Sequence, residues 1–208
     1  MTILGIDPGA HGAVAVLDEG GQLLAVENMP SLFEANGRSA TNAPLLAGIL
    51  ARTQARVAFC EFVGARPTDA KVAAFAFGRA RGVIEGCAGA LGLPIVFLIP
   101  PTWKRLADIP PGTENKDLAR TRAIARWPAR ADLFARKCDV DRGEAALIGW
   151  AGLRSQCMRA RTDHGQRAPR LSWNNRRTQS GKTGPVAHPG GNGVLSSARR
   201  TWCFCVPA

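Results

Sequence analysis

The hydrophobic pattern along the chain changes character twice. It begins as short apolar runs closed by turn residues. Residues 3–6 are stopped by Pro8-Gly9, residues 12–17 by Asp18-Glu19-Gly20-Gly21, and residues 23–26 follow at once. Such runs between Gly, Pro and Asp clusters are strand signals, and three in succession predict an antiparallel meander. Over residues 44–53 the spacing turns helical, with Leu45, Leu46, Ile49 and Leu50 on one face. Residues 56–62 read as a fourth strand, 69–91 as a long helix and 94–99 as a fifth strand closed by Pro100-Pro101. Residues 116–127 read as a helix stopped by Pro128, and 141–153 as the last helix. The predicted order is β-β-β-α-β-α-β-α-α, an α/β arrangement.

After Ser155 the periodicity is lost. Arg, Ser, Gly and Asn dominate, with Pro at 169, 185, 189 and 207. Without enough apolar surface to offset the entropy of ordering, this segment is expected to be disordered. The reading is therefore a folded domain over 1–154 and a basic tail over 155–208. The abrupt change of style also admits translation from a shifted frame, which resequencing of the coding region would test.

Charge follows the same division. Of 27 basic and 16 acidic residues among 208, residues 1–154 hold 18 and 15, whereas residues 155–208 hold 9 and one. A net charge of +11 points to an anionic polymer as partner, though a basic tail can equally be a solvated one. A hydrophobic fraction of 46% supports a core. No apolar run approaches the ~18 residues of a membrane span. The first residues lack the basic region of a secretory signal, so a cytoplasmic location with reduced cysteines is expected. The six cysteines form no CxxC pair and there are only three histidines, which disfavours a zinc site.

The candidate chemistry is acidic. Asp7 and Glu61 each end an apolar strand, and on neighbouring strands both carboxylates would emerge at one sheet edge. Asp141 and Glu144 are three apart at the start of the last helix, on one face that continues through Ala145 and Ile148. Four carboxylates at one rim repel unless divalent cations neutralise them, and hard oxygen donors suit Mg2+ or Mn2+. Two such ions about 4 Å apart can stabilise both the attacking and the leaving oxygen of an in-line phosphoryl displacement. Taken singly, each acid has a plainer reading: a strand-ending turn at Asp7, a buried paired acid at Glu61, a helix cap at Asp141-x-x-Glu144. Asp139 competes with Asp141 for the third place but more plausibly approaches the helix start.

Several segments together resemble RuvC-type Holliday junction resolvases, of the compact phage or alphaproteobacterial variety. They are Gly5-Ile6-Asp7-Pro8-Gly9-Ala10-His11-Gly12, Cys60-Glu61-Phe62-Val63, the stretch from Phe75 to Gly86, Pro100-Pro101-Thr102-Trp103-Lys104, and Asp141-Arg142-Gly143-Glu144-Ala145-Ala146. The resemblance implies a ribonuclease-H-like fold: a five-stranded mixed sheet, three antiparallel strands then two parallel, flanked by helices. It further implies a Mg2+-dependent endonuclease (Mn2+ substituting), with two ions per site, acting as a homodimer on branched DNA. The family's acids fall on Asp7, Glu61, Asp141 and Glu144; the last departs from the commoner aspartate by one methylene. Lys104 is implied to contact phosphate or the transition state, where a cation offsets developing charge.

Further DNA-contact candidates are Lys116, Arg79, Arg81 and Phe62, each with a surface or packing alternative. Phe75 is expected in the core. Ala74, Gly78, Gly82, Gly86 and Ala90 form a stripe of small residues at every fourth position. Packing is its expected role, with the dimer interface as a candidate. Two rival functions remain: a branched-DNA-binding module with impaired catalysis, and an actin-like or sugar-kinase ATPase. The second would need a further phosphate hairpin and an adenosine motif, and neither is visible.

Overall fold

Side-chain alternation along the strands decides which residues reach which face of the sheet. In the computed structural model the first strand, β1 (Thr2–Asp7), is buried along nearly its whole length. Ile3 joins the core on one face, while Leu4 and Ile6 join the core on the other. A strand covered on both faces reads as a continuous apolar run. The structure describes residues 1–165 apart from 10, 36, 63, 65–67 and 112–116, with side chains up to Met158. All of these lie in one compact unit, Met1–Arg167.

β1 is central in a five-stranded sheet. β2 (Ala13–Asp18) and β3 (Leu23–Asn28) continue it antiparallel on one side; β6 (Ala55–Glu61) and β7 (Ile95–Leu98) continue it parallel on the other. This is the expected sheet: three antiparallel strands, then two parallel. Between β3 and β6 the chain forms a two-stranded ribbon, β4 (Ser31–Phe33) and β5 (Ser39–Thr41), which the sequence pattern did not announce.

Helices cover both faces. α1 (Ala43–Thr53) is capped by the Asn42 side chain, which accepts from the Leu45 N–H. It packs with α2 (Lys71–Ala90) against Leu4, Ile6, Val14, Ala58 and Cys60. The opposite face carries α3 (Pro100–Leu106), α4 (Leu118–Arg126), a 3-10 segment (Pro128–Phe134) and α5 (Val140–Gly165). Their core joins Ile3, Val57 and Phe59 to Trp103, Phe134, Ala145 and Ile148.

Three expectations need correction. Pro100-Pro101 ends the fifth strand but also opens α3: both prolines occupy the first turn, where their missing N–H groups cost nothing. The last helix does not stop at Leu153 but runs to Gly165. Residues 155–164 contain neither Pro nor Gly, so helix propagation outlasts the apolar periodicity. Phe75 is not in the core; it is 71% exposed. The remainder of the basic tail, residues 166–208, lies outside the described residues. Among the described residues no helix is long and apolar enough to cross a membrane.

Candidate active site

The same alternation that builds the core aims two acids at one helix. In β1, Ile3 and Gly5 face α5, and Asp7 is next in that register. In β6, Val57 and Phe59 face the same layer, and Glu61 follows. The parallel register aligns Ile6 with Cys60, so Asp7 and Glu61 are the next residues on adjacent strands.

Glycines let α5 come down onto this edge. A Cβ at Gly5 would sit 2.0 Å from the Ala145 carbonyl oxygen and 2.5 Å from the Gly149 nitrogen. A Cβ at Gly149 would meet Leu17 Cδ1 at 2.6 Å and the Gly5 backbone at 3.1 Å. Strand and helix backbones are therefore in direct contact, an approach that no residue with a side chain permits. Gly152 gives the ring of Phe59 its room in the same way. This crossing holds the first turns of α5, with Asp141 and Glu144, over the end of β1.

As a result, carboxylate oxygens of Asp7, Asp141 and Glu144 all lie within 4.8 Å of one another. Asp7 is only 7% exposed. Burial, then the charges of Glu144, Glu61 and Asp141, push its carboxyl well above the usual range, against the opposing pull of Lys104. Glu144 is pushed up to about 7, by burial first and then by Glu61 and Asp141, again opposed by Lys104. Burial also raises Asp141, and His11 counteracts this. Buried carboxylates crowded in this way stay ionised only with a cation among them. Three hard oxygen donors at this separation fit a divalent cation.

Of the four acids expected to converge, Glu61 stands outside the group of three. Its Oε1 accepts a hydrogen bond of 2.9 Å from Nε1 of the buried Trp103. Its field nevertheless reaches Asp7 and Glu144. Burial raises its pKa, while the indole N–H and Lys104 pull it down. Trp103 and Lys104 both come from α3, so the helix unforeseen in the sequence supplies the indole donor and the local cation. Lys104 Nζ lies 5.3 Å from the centroid of the Trp103 ring.

Asp139 is separate. Its carboxylate accepts from the Arg136 backbone N–H and guanidinium, with Arg142 also near, and this hydrogen bonding lowers its pKa. Asp141 is thus the acid that faces the site. His11, a functional candidate that the sequence reading left without a role, comes near Asp141 through the turn after β1. The signal was its place four residues beyond Asp7.

The other candidates are dispersed. Arg81 lies 4.6 Å from the Phe62 ring centroid and 4.5 Å from that of Phe97, and it pairs with Glu85 at 2.8 Å. Phe62, directly after Glu61, stays 40% exposed. Arg79 pairs with Glu34. Lys116 lies outside the described residues. Among the described residues the glycines of the small-residue stripe have open space beside them: a Cβ at Gly78, Gly82 or Gly86 would meet nothing within 4 Å.

A mixed sheet in the order β3-β2-β1-β6-β7 with helices on both faces is a ribonuclease-H-like α/β fold, here with acids at the end of its central strand. Among solved structures the fold is that of RuvC. The chain superposes on Thermus thermophilus RuvC in complex with a Holliday junction substrate with a TM-score of 0.50 and 14% identity, over 76% of this chain and 96% of that one. For T. thermophilus RuvC alone the TM-score is 0.50, with 14% identity over 76% and 97%. The yeast mitochondrial Holliday junction resolvase Ydc2 aligns at 17% identity over 77% and 82%, with a TM-score of 0.42. No family model and no curated protein sequence matches the chain.

Proposed function

We propose that the protein is a metal-dependent endonuclease that cuts four-way DNA junctions by phosphodiester hydrolysis, as a homodimer, in recombination or repair. The observation that carries this reading is the gathering of Asp7, Asp141 and Glu144 within 4.8 Å at the mouth of a RuvC-like fold, beside Glu61 and Lys104. A fold neighbour described in complex with a Holliday junction substrate supports branched DNA as the substrate in this reading.

In this reading Asp7, Asp141, Glu144 and Glu61 hold Mg2+, with Mn2+ able to substitute. A divalent ion there supplies Lewis-acid charge to the scissile phosphate. The chain's own residues do the rest. Trp103 fixes the rotamer of Glu61 through its N–H, so that one carboxylate oxygen remains for the metal side. Lys104 offsets negative charge as it builds on the phosphate oxygens. Phe62, held edge-to-face with Phe97 and beneath Arg81, offers an exposed ring next to Glu61 for an unpaired base. Arg81 and Arg79 already hold acidic partners, so their DNA contacts would be shared ones.

The dimer is supported by α2. Its glycine stripe is open, and Val72, Phe75 and Phe77 on the same helix are exposed. A second copy would cover this surface, and two sites in one assembly allow paired cuts.

The test is nicking of a synthetic four-way junction beside a linear duplex of the same sequence, with Mg2+. The wild type should cut the junction selectively. Asp7→Asn should still bind it and leave it intact. Cutting by D7N at the wild-type rate, or Mg2+-dependent ATP hydrolysis without nicking, would overturn the reading.

A further inference from the structure

In the middle of α5, beyond the turns that carry the acids, an arginine of α5 and one from the end of α4 share one indole. The Arg126 guanidinium carbon lies 3.6 Å from the centroid of the Trp150 ring, and that of Arg154 lies 4.7 Å from it. Arg126 also lies 5.9 Å from the centroid of Trp127, whose Nε1 donates to the Gly21 carbonyl at 2.9 Å. Both indoles are buried, so the platform under the arginines is rigid. Cations over a tryptophan face are attracted by its quadrupole. A guanidinium attracted to a ring by its face keeps the N–H donors along its edges for other partners.

Those donors are under-used. Arg154 gives one hydrogen bond of 3.1 Å to the Leu106 carbonyl. Among the described residues no carboxylate lies within ion-pair distance of either arginine, unlike Arg52, Arg79, Arg81, Arg120, Arg136 and Arg142. Burial and the charge of Arg154 bear against the Arg126 cation, with Asp108 the acid that partly compensates. Two like charges held together with no carboxylate at ion-pair distance are an arrangement that a shared anion would relieve. A planar guanidinium presents paired N–H donors that match two oxygens of a phosphate.

We propose that Arg126 and Arg154, stacked on Trp150, form a phosphate clamp that takes a backbone phosphodiester of a DNA arm, remote from the cutting site. The DNA assignment rests on the function proposed above; the phosphate chemistry does not. Arg154 is about 20 Å along the helix axis from Asp141 at 1.5 Å per residue. That is roughly six base steps of duplex at 3.4 Å each, so one arm is long enough to reach both. The clamp would fix the direction of an arm while the acids act on the exchange point.

The test uses the full chain in three measurements. In the first, inorganic phosphate is titrated while the Trp150 indole N–H and the Arg126 and Arg154 Nε–H resonances are followed by NMR, the indole being assigned with Trp150→Phe. Saturable shifts at these three groups support the clamp; if phosphate leaves them in place, the clamp is wrong. In the second, junction affinity is measured in EDTA across a salt series for the wild type and for R126Q/R154Q. The variant should bind about three- to tenfold more weakly at 0.1 M salt, with a log K against log [salt] slope shallower by about 0.9 for each phosphate released. Phosphate shifts with an unchanged slope would mean that the site takes free phosphate, and would overturn the DNA assignment. In the third, R126K/R154K keeps both charges without the planar fork. It should recover the slope but not the full affinity, whereas equal loss in both variants would point to packing on Trp150 alone and overturn the proposal. A wild type that shows the phosphate shifts and the slope but no preference for junctions would leave the clamp standing and remove the junction reading.

Discussion

Removing one acid from the cluster should stabilise the protein. Glu144 is held at about 7 because burial and the charges of Glu61 and Asp141 disfavour its ionised form. An unfolded glutamate titrates near 4.3. The sign is fixed by proton binding: between these values the folded state holds the proton that the unfolded state has released. Stability associated with Glu144 is therefore full below about pH 4.3 and is lost as pH rises through about 7. At 1.36 kcal/mol per pKa unit the loss is about 3.7 kcal/mol at pH 8 in metal-free protein. Glu144→Gln removes this cost and also relieves Asp7, on which Glu144 exerts the largest of the charge effects. In EDTA at pH 8, E144Q should melt roughly 7–15 °C above the wild type, at 2–4 °C per kcal/mol for a chain of this size. At pH 4 the two should melt together. Adding Mg2+ should raise the wild-type Tm, leave E144Q nearly unmoved and reverse their order. Calorimetry across pH with and without Mg2+ measures all of this. If E144Q melts at or below the wild type in EDTA at pH 8, the crowded-carboxylate account of the site is wrong.

Other consequences concern the scaffold. Gly5→Ala places a methyl 2.0 Å from the Ala145 carbonyl oxygen, so it should cost about 3 kcal/mol or more in urea unfolding and lower Mg2+ affinity by lifting α5 off β1. Trp103→Phe removes the hydrogen bond to Glu61 at small packing cost, so it should lose about 1–2 kcal/mol and shift the pH–rate profile upward as the Glu61 pKa rises; an unchanged profile would show that the indole does not set the state of Glu61. Gly82→Leu on the open stripe should leave the far-UV spectrum and thermal melt of the monomer intact but abolish dimer in sedimentation; a dimer that survives this change does not use α2.

The sequence made the sheet legible because β1, β2 and β6 are buried along most of their length and the early strands end at turn residues, so apolar runs and their punctuation carry the signal together. The acids were legible for a related reason. A charge directly after an apolar run, as at Ile6-Asp7 and Cys60-Glu61, can only stand at a sheet edge. What escaped was set by contacts distant in sequence. Pro100-Pro101 stops a strand and starts a helix with the same two residues, and only the packing of Trp103 under Glu61 selects the second meaning. The ribbon of β4 and β5 is short and polar, so no alternation marks it.

Glycine shows most clearly where local pattern runs out. Gly5, Gly149 and Gly152 give no periodic signal, yet they set the separation of β1, β6 and α5 that gathers the acids. Gly78, Gly82 and Gly86 form the most regular spacing in the chain, yet among the described residues no atom occupies the place of their missing side chains. An absent side chain has meaning only through what approaches it, and the sequence records the gap without the neighbour. The same logic separates the acids. Asp139 and Asp141 look alike as letters, but Arg136 and Arg142 neutralise the first, and the second is left to face Asp7 and Glu144. A carboxylate already satisfied by arginine has little to gain from a divalent ion; one held among other carboxylates gains most, and the metal ligands proposed above follow from that difference.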